Sequence, residues 1–224
     1  MVQTKLYSSW RTESGRDEPV VYHGYTATSE MPFRKVCEVV REYAFRTSDL
    51  PVIVSLEVHC SQPQQEIVAE LMNDYWGEHL FRIPKDFSDS TPLPPLSTLR
   101  GKILVKVKYT PPEKAKRAEA RSSKKVDDSE STDEEDSTKA SQKSKIVEKL
   151  SRMGIFTRAF HFHNFEQPEA LIPTHVFSLS ETKLVDCCQE QPEKLFNHNV
   201  RYLMRAYPKG TRVRSSNLDP APLW

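Results

Sequence analysis

The stretch Pro51–Cys60, PVIVSLEVHC, decides the fold of this chain. Its apolar and β-branched residues form a near-continuous run between a proline and polar sequence, which is typical of a strand buried on both faces of a parallel sheet. Glu57 lies near the carboxyl end of that strand. Functional side chains of α/β proteins gather at this end of parallel strands. The run therefore predicts an α/β fold with Glu57 at a functional site, the alternative being a solvated strand-end carboxylate.

Two further runs resemble this strand and also carry polar residues near their ends. Pro19–His23 (PVVYH) ends in a histidine, and Ile103–Lys108 (ILVKVK) contains Lys106 and Lys108. Three parallel strands of this kind would direct an acid or base, a carboxylate and two cations at one place. For the lysines, the alternative is an edge strand that lysine side chains protect from further pairing.

Helical periodicity separates these strands. Apolar residues recur at helical spacing in two segments: Phe33, Val36, Cys37, Val40 and Ala44, and then Ile67, Val68, Leu71, Met72, Tyr75 and Trp76. The first helix is predicted to begin near Pro32, with its cap among Thr28, Ser29 and Glu30. The second follows Ser61–Gln64, a capping-box pattern. The alternation of strands and helices predicts parallel strands with right-handed crossovers.

Composition limits the classes of function. The chain has 224 residues and a net charge of +1, and no run approaches the roughly 18 apolar residues of a membrane span. Its four cysteines have neither zinc-site spacing nor the pattern of a secreted disulfide framework, which indicates reduced thiols in an intracellular protein. His161 and His163 have the spacing of a metal-binding pair, but two histidines on one face of an ordinary strand are the more common arrangement.

Two segments differ from the rest in composition. Residues 1–18 are polar and lack periodicity, so we expect them to be poorly ordered. Residues 111–145 contain no aromatic residue, and their basic first part is followed by the acidic run Asp127–Asp136. Such a segment cannot bury enough apolar surface to offset its ordering entropy, which predicts a disordered linker. Its basic part has no interleaved aromatic residues, so nucleic-acid binding is not expected.

A second ordered block is predicted after the linker. Phe156–His163, His175–Ser180 and Leu203–Pro208 have the character of strands. Ser180 or Glu181 is predicted to open one short helix, and Pro192 another. The predicted apolar positions of these helices are Leu184, Val185 and Cys188 in the first, and Leu195, Phe196 and Val200 in the second.

The sequence resembles the catalytic domain of phosphoinositide-specific phospholipase C. The resemblance rests on YHGYT, EYAF, PVI-SLE-HCS and QQ in register within residues 20–71, and on LRGKILVKVK, HVFSLSE and NHNVRYLMRAYPKGTRVRSSNLDPAPLW. It implies an incomplete TIM-type (β/α) barrel interrupted by a disordered charged linker. Residues 19–110 would be the C-terminal part of the X half, 111–145 the X–Y linker, and 146–224 the Y half without its last strand.

The resemblance also implies a chemistry. The family cleaves phosphatidylinositol 4,5-bisphosphate to diacylglycerol and inositol trisphosphate with Ca²⁺ as cofactor, by attack of the inositol 2-hydroxyl on phosphorus. His23 matches the general acid, and Glu57 matches a calcium ligand and candidate base. The head-group contacts match Lys106, Lys108, Ser178, Arg205 and Tyr207. These matches imply a cytoplasmic signalling enzyme that associates peripherally with the membrane surface and binds phosphoinositide lipid.

The chain also departs from the family pattern. A second catalytic histidine and an asparagine calcium ligand have no match, and Leu6 and Ser8 stand where the family carries Glu and Asp if Trp10 is aligned. The matched ranges are shorter than the roughly 200 to 250 residues that a complete TIM barrel requires, which predicts truncation at both ends. Two hypotheses stay open: a phospholipase C that is weakly active or inactive as written, and a catalytically dead phosphoinositide-binding or regulatory fragment. The oligomeric state is left open.

Overall fold

The computed structural model describes residues 2–8, 18–22, 29–84, 87–109 and 146–209. The strands are β1 Val2–Ser8, β2 Pro19–Val21, β3 Met31–Pro32, β4 Val52–Val58, β5 Ile103–Lys108, β6 Arg158–Phe160, β7 His175–Ser180 and β8 Leu203–Tyr207. The α-helices are α1 Phe33–Tyr43, α2 Gln62–Trp76, α3 Glu148–Ser151, α4 Glu181–Glu190 and α5 Pro192–Asn199. The predicted His23, the linker 111–145 and the C-terminal residues 210–224 lie outside the described ranges.

The eight strands form one sheet in the order β3-β2-β1-β4-β5-β6-β7-β8. β1 pairs in parallel with β4, and the pairs from β4 through β8 are parallel as well. Connections that join parallel neighbours through helices build the sheet of a (β/α) barrel. Among the described strands the sheet remains open, with β3 and β8 as its edges. The predicted incomplete α/β barrel is therefore confirmed.

The first strand is an unpredicted element. The expectation of poor order over residues 1–18 is wrong for Val2–Ser8, since this segment forms β1 between β2 and β4. Leu6 is fully buried in the core beneath the helices, whereas Lys5, of opposite parity, meets Glu57. Polar residues at Thr4 and Ser8 share the parity of Val2 and Leu6, so the alternation that would predict a strand is weak in this segment.

β2 runs in the direction opposite to that predicted. It pairs antiparallel with β1, with Leu6 opposite Val21 and Ser8 opposite Pro19. The prediction that it lies parallel to β4 and β5 is wrong, because β2 returns directly beside β1. Two consecutive strands that pair without a long crossover must be antiparallel.

Helices α1, α2 and α3 cover one face of the sheet and form the main core. Phe33, Cys37, Met72 and Trp76 pack there with Leu6 and with the valines of β4 and β5. Trp76 Nε1 donates a hydrogen bond to the Cys37 carbonyl at 3.2 Å, which joins α1 to α2. The packing confirms both predicted apolar helix faces.

The helix starts match the sequence only in part. The capping box of α2 is present, with the side chain of Gln64 accepting from the backbone N–H of Ser61 at 3.4 Å. α1 begins directly after Pro32 without a side-chain cap. The predicted cap is wrong for Ser29 and Glu30, because Met31–Pro32 is a strand that continues straight into the helix.

A second core lies between β7 and the helices α4 and α5, where Phe177, Leu179, Cys187 and Leu195 are buried. α4 begins at Glu181, as predicted, and Ser180 Oγ accepts a hydrogen bond from the Lys183 N–H at 3.3 Å. The four cysteines of the sequence are free thiols. None of the described helices has the length and apolar character that crossing a bilayer requires.

Two details of this second half differ from the predictions. Phe196 and Val200 of the α5 region are 69% and 65% exposed, because Leu195 and His198, one turn apart, form the buried face. The strand predicted over Phe156–His163 covers only Arg158–Phe160. His161 and His163 follow it in irregular backbone, with their rings edge-on at 4.7 Å.

Candidate functional site

The registers of β4 and β5 define one face of the sheet on which predicted site residues lie. Ser55 of β4 is opposite Lys106 of β5. Alternate residues of a strand share a face, so Glu57 lies on the face of Ser55 and Lys108 on that of Lys106. Val105 and Val107, of the other parity, pack beneath the helices. We call the opposite face, which carries Glu57, Lys106 and Lys108, the inner face.

The same face continues through the second half of the sheet. Lys108 is opposite Ala159 of β6, and Ala159 is opposite Val176 of β7. Ser178 shares the parity of Val176, so it lies on the inner face together with Arg205, its partner in β8. Tyr207 has the same parity as Arg205. The registers thus bring Glu57, Lys106, Lys108, Ser178, Arg205 and Tyr207 onto one surface.

Lys106 is the buried cation of this surface. The residue is 7% exposed. Burial and, secondly, the like charge of Arg205 lower the pKa of the Lys106 ammonium to about 8. Arg205 lies on the same face three strands further along the sheet. A cation that is buried beside another cation marks a place where a bound anion would be stabilised.

Ser178 and Tyr207 complete the β7–β8 end of the surface. Ser178 Oγ is buried and has no hydrogen-bond partner among the described residues. A buried hydroxyl without a partner costs folding free energy, which a ligand could recover by hydrogen bonding to it. Tyr207 is 41% exposed, and the Arg205 guanidinium lies 5.9 Å from the centroid of its ring. This end of the surface therefore offers a hydroxyl, a guanidinium and an accessible aromatic ring.

Glu57 lies on the inner face with partners of its own. Its Oε1 accepts a hydrogen bond from His59 Nε2 at 2.9 Å, and its Oε2 lies 3.5 Å from Lys5 Nζ. Partial burial opposes ionisation of Glu57, but the hydrogen bond from His59 and the charge of Lys5 outweigh it and lower the pKa of the carboxyl. Glu57 is therefore an ionised carboxylate with both oxygens engaged.

An aromatic stack supports this carboxylate. The rings of Tyr7 and His59 are nearly parallel with centroids 4.8 Å apart, and Tyr22 lies 4.2 Å from Tyr7. Sequence reasoning assigned no role to His59, although its position two residues after Glu57 in the strand register puts both side chains on one face. Lys5 and Tyr7 were missed because residues 1–18 lacked a strand pattern.

The residues described here do not fit a calcium ion. Ca²⁺ takes six to eight oxygen ligands, usually with several carboxylates. No group of three histidine, cysteine or acidic side chains that could hold a metal occurs in the described ranges. Leu6, which stands where the family is expected to carry an acidic ligand, is fully buried in the core on the other face. The carboxylate of Glu57 is already paired with Lys5.

Comparisons with known proteins place the sequence in context. Residues 8–109 match the family model described as phosphatidylinositol-specific phospholipase C, X domain, and residues 150–224 match that of the Y domain. A protein of Rattus norvegicus named 1-phosphatidylinositol 4,5-bisphosphate phosphodiesterase delta-1 is 37% identical over 221 residues, covering 92% of this chain and 29% of its own length. The Homo sapiens protein of that name with the suffix zeta-1 is 35% identical over 225 residues, covering 95% of this chain and 36% of its own.

Solved structures resemble the fold as well. The crystal structure of L. pealei PLC21 has a TM-score of 0.72 at 32% sequence identity and covers 98% of this chain. That of S. officinalis PLC21 has a TM-score of 0.71 at 30% identity and covers 96%. The chain spans 27% and 26% of those two chains. The similarity thus extends over nearly the whole of this chain and over a minor part of each larger relative.

Proposed function

Because the chain belongs to the phosphatidylinositol-specific phospholipase C family, we propose that its inner face binds the head group of a phosphoinositide lipid. Phosphatidylinositol 4,5-bisphosphate, which the names of the relatives carry, is the first candidate. The observation that supports this most directly is the burial of Lys106 beside the like charge of Arg205. A polyphosphorylated ring would supply the anionic charge that stabilises both cations.

The proposal gives each residue of the surface a role. Lys106 acts as a point charge for one ring phosphate, and Arg205 offers its planar guanidinium to another. Ser178 Oγ, which is buried without a described partner, donates a hydrogen bond to the head group. The ring of Tyr207 packs against the inositol ring, and Lys108, exposed at the end of β5, attracts the head group from outside.

We propose that cleavage of the phosphodiester by this chain is weak or absent. Such cleavage needs a group that neutralises the charge developing on phosphorus. Glu57 is held by Lys5 and His59, and the described residues offer no calcium site. The chain would then bind phosphoinositides without turning them over at a substantial rate.

A second candidate is the hydrolase itself. Glu57 lies on the same face as the proposed head-group residues and near a strand end, which is where the resemblance implies a calcium ligand and candidate base. In this alternative His23 is the general acid and Ca²⁺ is the cofactor. Both candidates have the chain acting on the cytoplasmic surface of a membrane, where basic side chains are attracted to anionic lipid head groups.

One experiment separates the candidates. The full chain is mixed with phosphatidylcholine vesicles with and without 5% phosphatidylinositol 4,5-bisphosphate; co-sedimentation and soluble inositol phosphate are measured in calcium and in chelator. We expect binding that requires the phosphoinositide, with little release of inositol phosphate. Arg205→Ala and Lys106→Met should each reduce binding by about tenfold or more, as loss of one charge-assisted contact does.

The control variant is Arg41→Met, which removes an exposed cation from α1 on the helical side. It should bind as the unaltered chain does. Equal loss of binding in Arg41→Met and Arg205→Ala would contradict a site on the inner face. If the unaltered chain releases inositol phosphate in calcium and Glu57→Gln does not, the second candidate, the hydrolase, would be established instead.

A further inference from the structure

We propose that the Lys5 ammonium takes the place of a divalent cation beside Glu57, so that this site excludes calcium and head-group binding proceeds without it. The part that concerns the head group rests on the proposed function. The part that concerns the metal rests on the contacts of Lys5, Glu57 and His59 alone. The two parts can therefore fail separately.

The sheet register puts Lys5 at this position. Its Cα is the direct partner of Glu57 Cα in the parallel pair of β1 and β4. Adjacent positions on neighbouring strands share a face, so the two side chains leave the sheet side by side. The backbone pairing of two interior strands thus holds the ammonium against the carboxylate, and the contact does not depend on a loop.

Both carboxylate oxygens of Glu57 already have a partner. Lys5 Nζ is 3.5 Å from Oε2, and His59 Nε2 is 2.9 Å from Oε1. A divalent ion bound to this carboxylate would lie close to the Lys5 ammonium and be repelled by its charge unless it displaced that side chain. The other predicted site residues of the inner face that carry charge, Lys106, Lys108 and Arg205, are also cationic.

The histidine that holds the other oxygen is fixed in turn. Its ring stacks on Tyr7, which follows Lys5 by two residues on the same face of β1, and Tyr7 contacts Tyr22. β1 therefore supplies both the cation that pairs with Glu57 and the aromatic ring that orients its second partner. This double contribution from one strand indicates a built ion-pair site.

The metal test uses the ion alone. The full chain and the variants Lys5→Arg, Lys5→Glu and Glu57→Gln are heated in CaCl₂ or in MgCl₂ at equal concentration, and Tm is measured. We expect no calcium-specific shift for the unaltered chain or for Lys5→Arg, which keeps the cation. Lys5→Glu sets two carboxylates side by side, so calcium should raise its Tm by about 3–6 °C at about ten times the dissociation constant. Adding Glu57→Gln to Lys5→Glu should remove that rise.

Two results would overturn the proposal. One is a calcium-specific rise in the Tm of the unaltered chain that Glu57→Gln abolishes, because Glu57 would then bind calcium despite Lys5. The other is a folded Lys5→Glu variant that shows no response to calcium, because Lys5 would then not be what excludes the ion. The unaltered chain and Glu57→Gln decide the first point even where Lys5→Glu fails to fold.

The lipid arm addresses the second part. Vesicles containing phosphatidylinositol 4,5-bisphosphate are titrated with the unaltered chain in 1 mM calcium. A separate titration in 1 mM magnesium is the control for a divalent ion. Equal affinity, within about twofold, supports calcium-independent binding. If the unaltered chain binds more tightly in calcium and Glu57→Gln does not, calcium-independent binding is contradicted. Absence of binding in both ions contradicts the proposed function and leaves the result of the metal test as it stands.

Discussion

Gln65 and Val147 join the two halves of the chain through one hydrogen bond. The Val147 N–H donates to Gln65 Oε1 at 2.8 Å, across 82 positions of sequence. The other end of the same amide, Nε2, donates to the Cys60 carbonyl at 3.1 Å. Gln65 is fully buried within α2, so its side chain links the end of the β4 region to the start of the second half.

Replacing this amide should weaken the connection. Gln65→Leu leaves the Val147 N–H and the Cys60 carbonyl without their partner, and unsatisfied buried polar groups cost about 1–3 kcal/mol each. We expect the free energy of unfolding to fall by about 2–4 kcal/mol in urea denaturation. Gln62→Leu, an exposed glutamine of the same helix, is the control and should change stability by less than about 0.5 kcal/mol. Equal effects of the two variants would contradict a structural role for this hydrogen bond.

A methyl group at Gly154 should crowd a side chain of the core. A Cβ there would lie 3.0 Å from Val107 Cγ1, which is buried in the core. Overpacking of this kind typically costs about 1–3 kcal/mol, so Gly154→Ala should lower the denaturation midpoint accordingly. The double variant with Val107→Ala tests the cause. Its destabilisation should be smaller than the sum of the two single effects, and simple additivity would show that the clash is relieved elsewhere.

His198 should make the second core sensitive to acid. Burial lowers the pKa of His198 below its ordinary 6.5, partly offset by a hydrogen bond to Asn199. The ring lies among Phe165, Phe177 and Tyr202, with centroids 5.1 to 5.8 Å away. Below pH 6.5 the unfolded chain takes up a proton that the folded chain resists, so stability should decrease as pH falls from 7 towards 5.

The comparison variant for this effect is His198→Asn, which cannot titrate. Its Tm should depend less on pH between 7 and 5 than that of the unaltered chain. His175 has a pKa that is also lowered, first by burial, so some acid sensitivity should remain. An identical pH profile in the two proteins would assign the sensitivity to other groups.

The sequence predicted the parts of the fold in which one pattern dominates. β4, β5, α2 and the capping box at Ser61 follow from apolar runs and local hydrogen bonding, which act over a few residues. β1 could not be found in this way. Its pairing with β4 is determined by long-range contacts, and among the residues of the core-facing parity Thr4 and Ser8 are polar, which weakens the local pattern.

The candidate site was predictable to a similar extent. Lys106 and Lys108 were predicted from the strand pattern, and Ser178, Arg205 and Tyr207 from the resemblance. The registers bring all five onto one face. The partners of Glu57 were not predictable, since no local rule connects Lys5 to a strand that begins at Val52. The contribution of His23 remains a prediction, because this residue lies outside the described ranges.

Lys106 should give head-group binding an unusual dependence on pH. Its pKa is lowered from the ordinary 10.5 to about 8, first by burial and then by the charge of Arg205. Between pH 7 and pH 9 the folded chain therefore loses this cation, while an exposed lysine would keep it. A bound phosphate favours the ammonium and raises its pKa, so loss of affinity should begin somewhat above pH 8.

The direction of this effect is diagnostic. Phosphate monoesters lose their second proton near pH 6, so rising pH makes the lipid no less anionic and by itself would not weaken binding. We expect affinity for vesicles containing phosphatidylinositol 4,5-bisphosphate to fall about tenfold between pH 7 and pH 9.5, as one charge-assisted contact is lost. Lys106→Arg keeps its charge throughout and should show a flat profile, whereas Lys106→Met should bind weakly at every pH.

Folding stability supplies an independent check on the same group. From about pH 8 to pH 10.5 the unfolded chain holds a proton on Lys106 that the folded chain has released, so this lysine should make the free energy of unfolding rise with pH across that window. This rise should be absent when the free energy of unfolding of Lys106→Met is measured over the same pH range and compared with that of the unaltered chain. If affinity falls with pH equally in the unaltered chain and in Lys106→Arg, the titrating group is not Lys106. The buried ammonium would then not be the group on which head-group affinity depends.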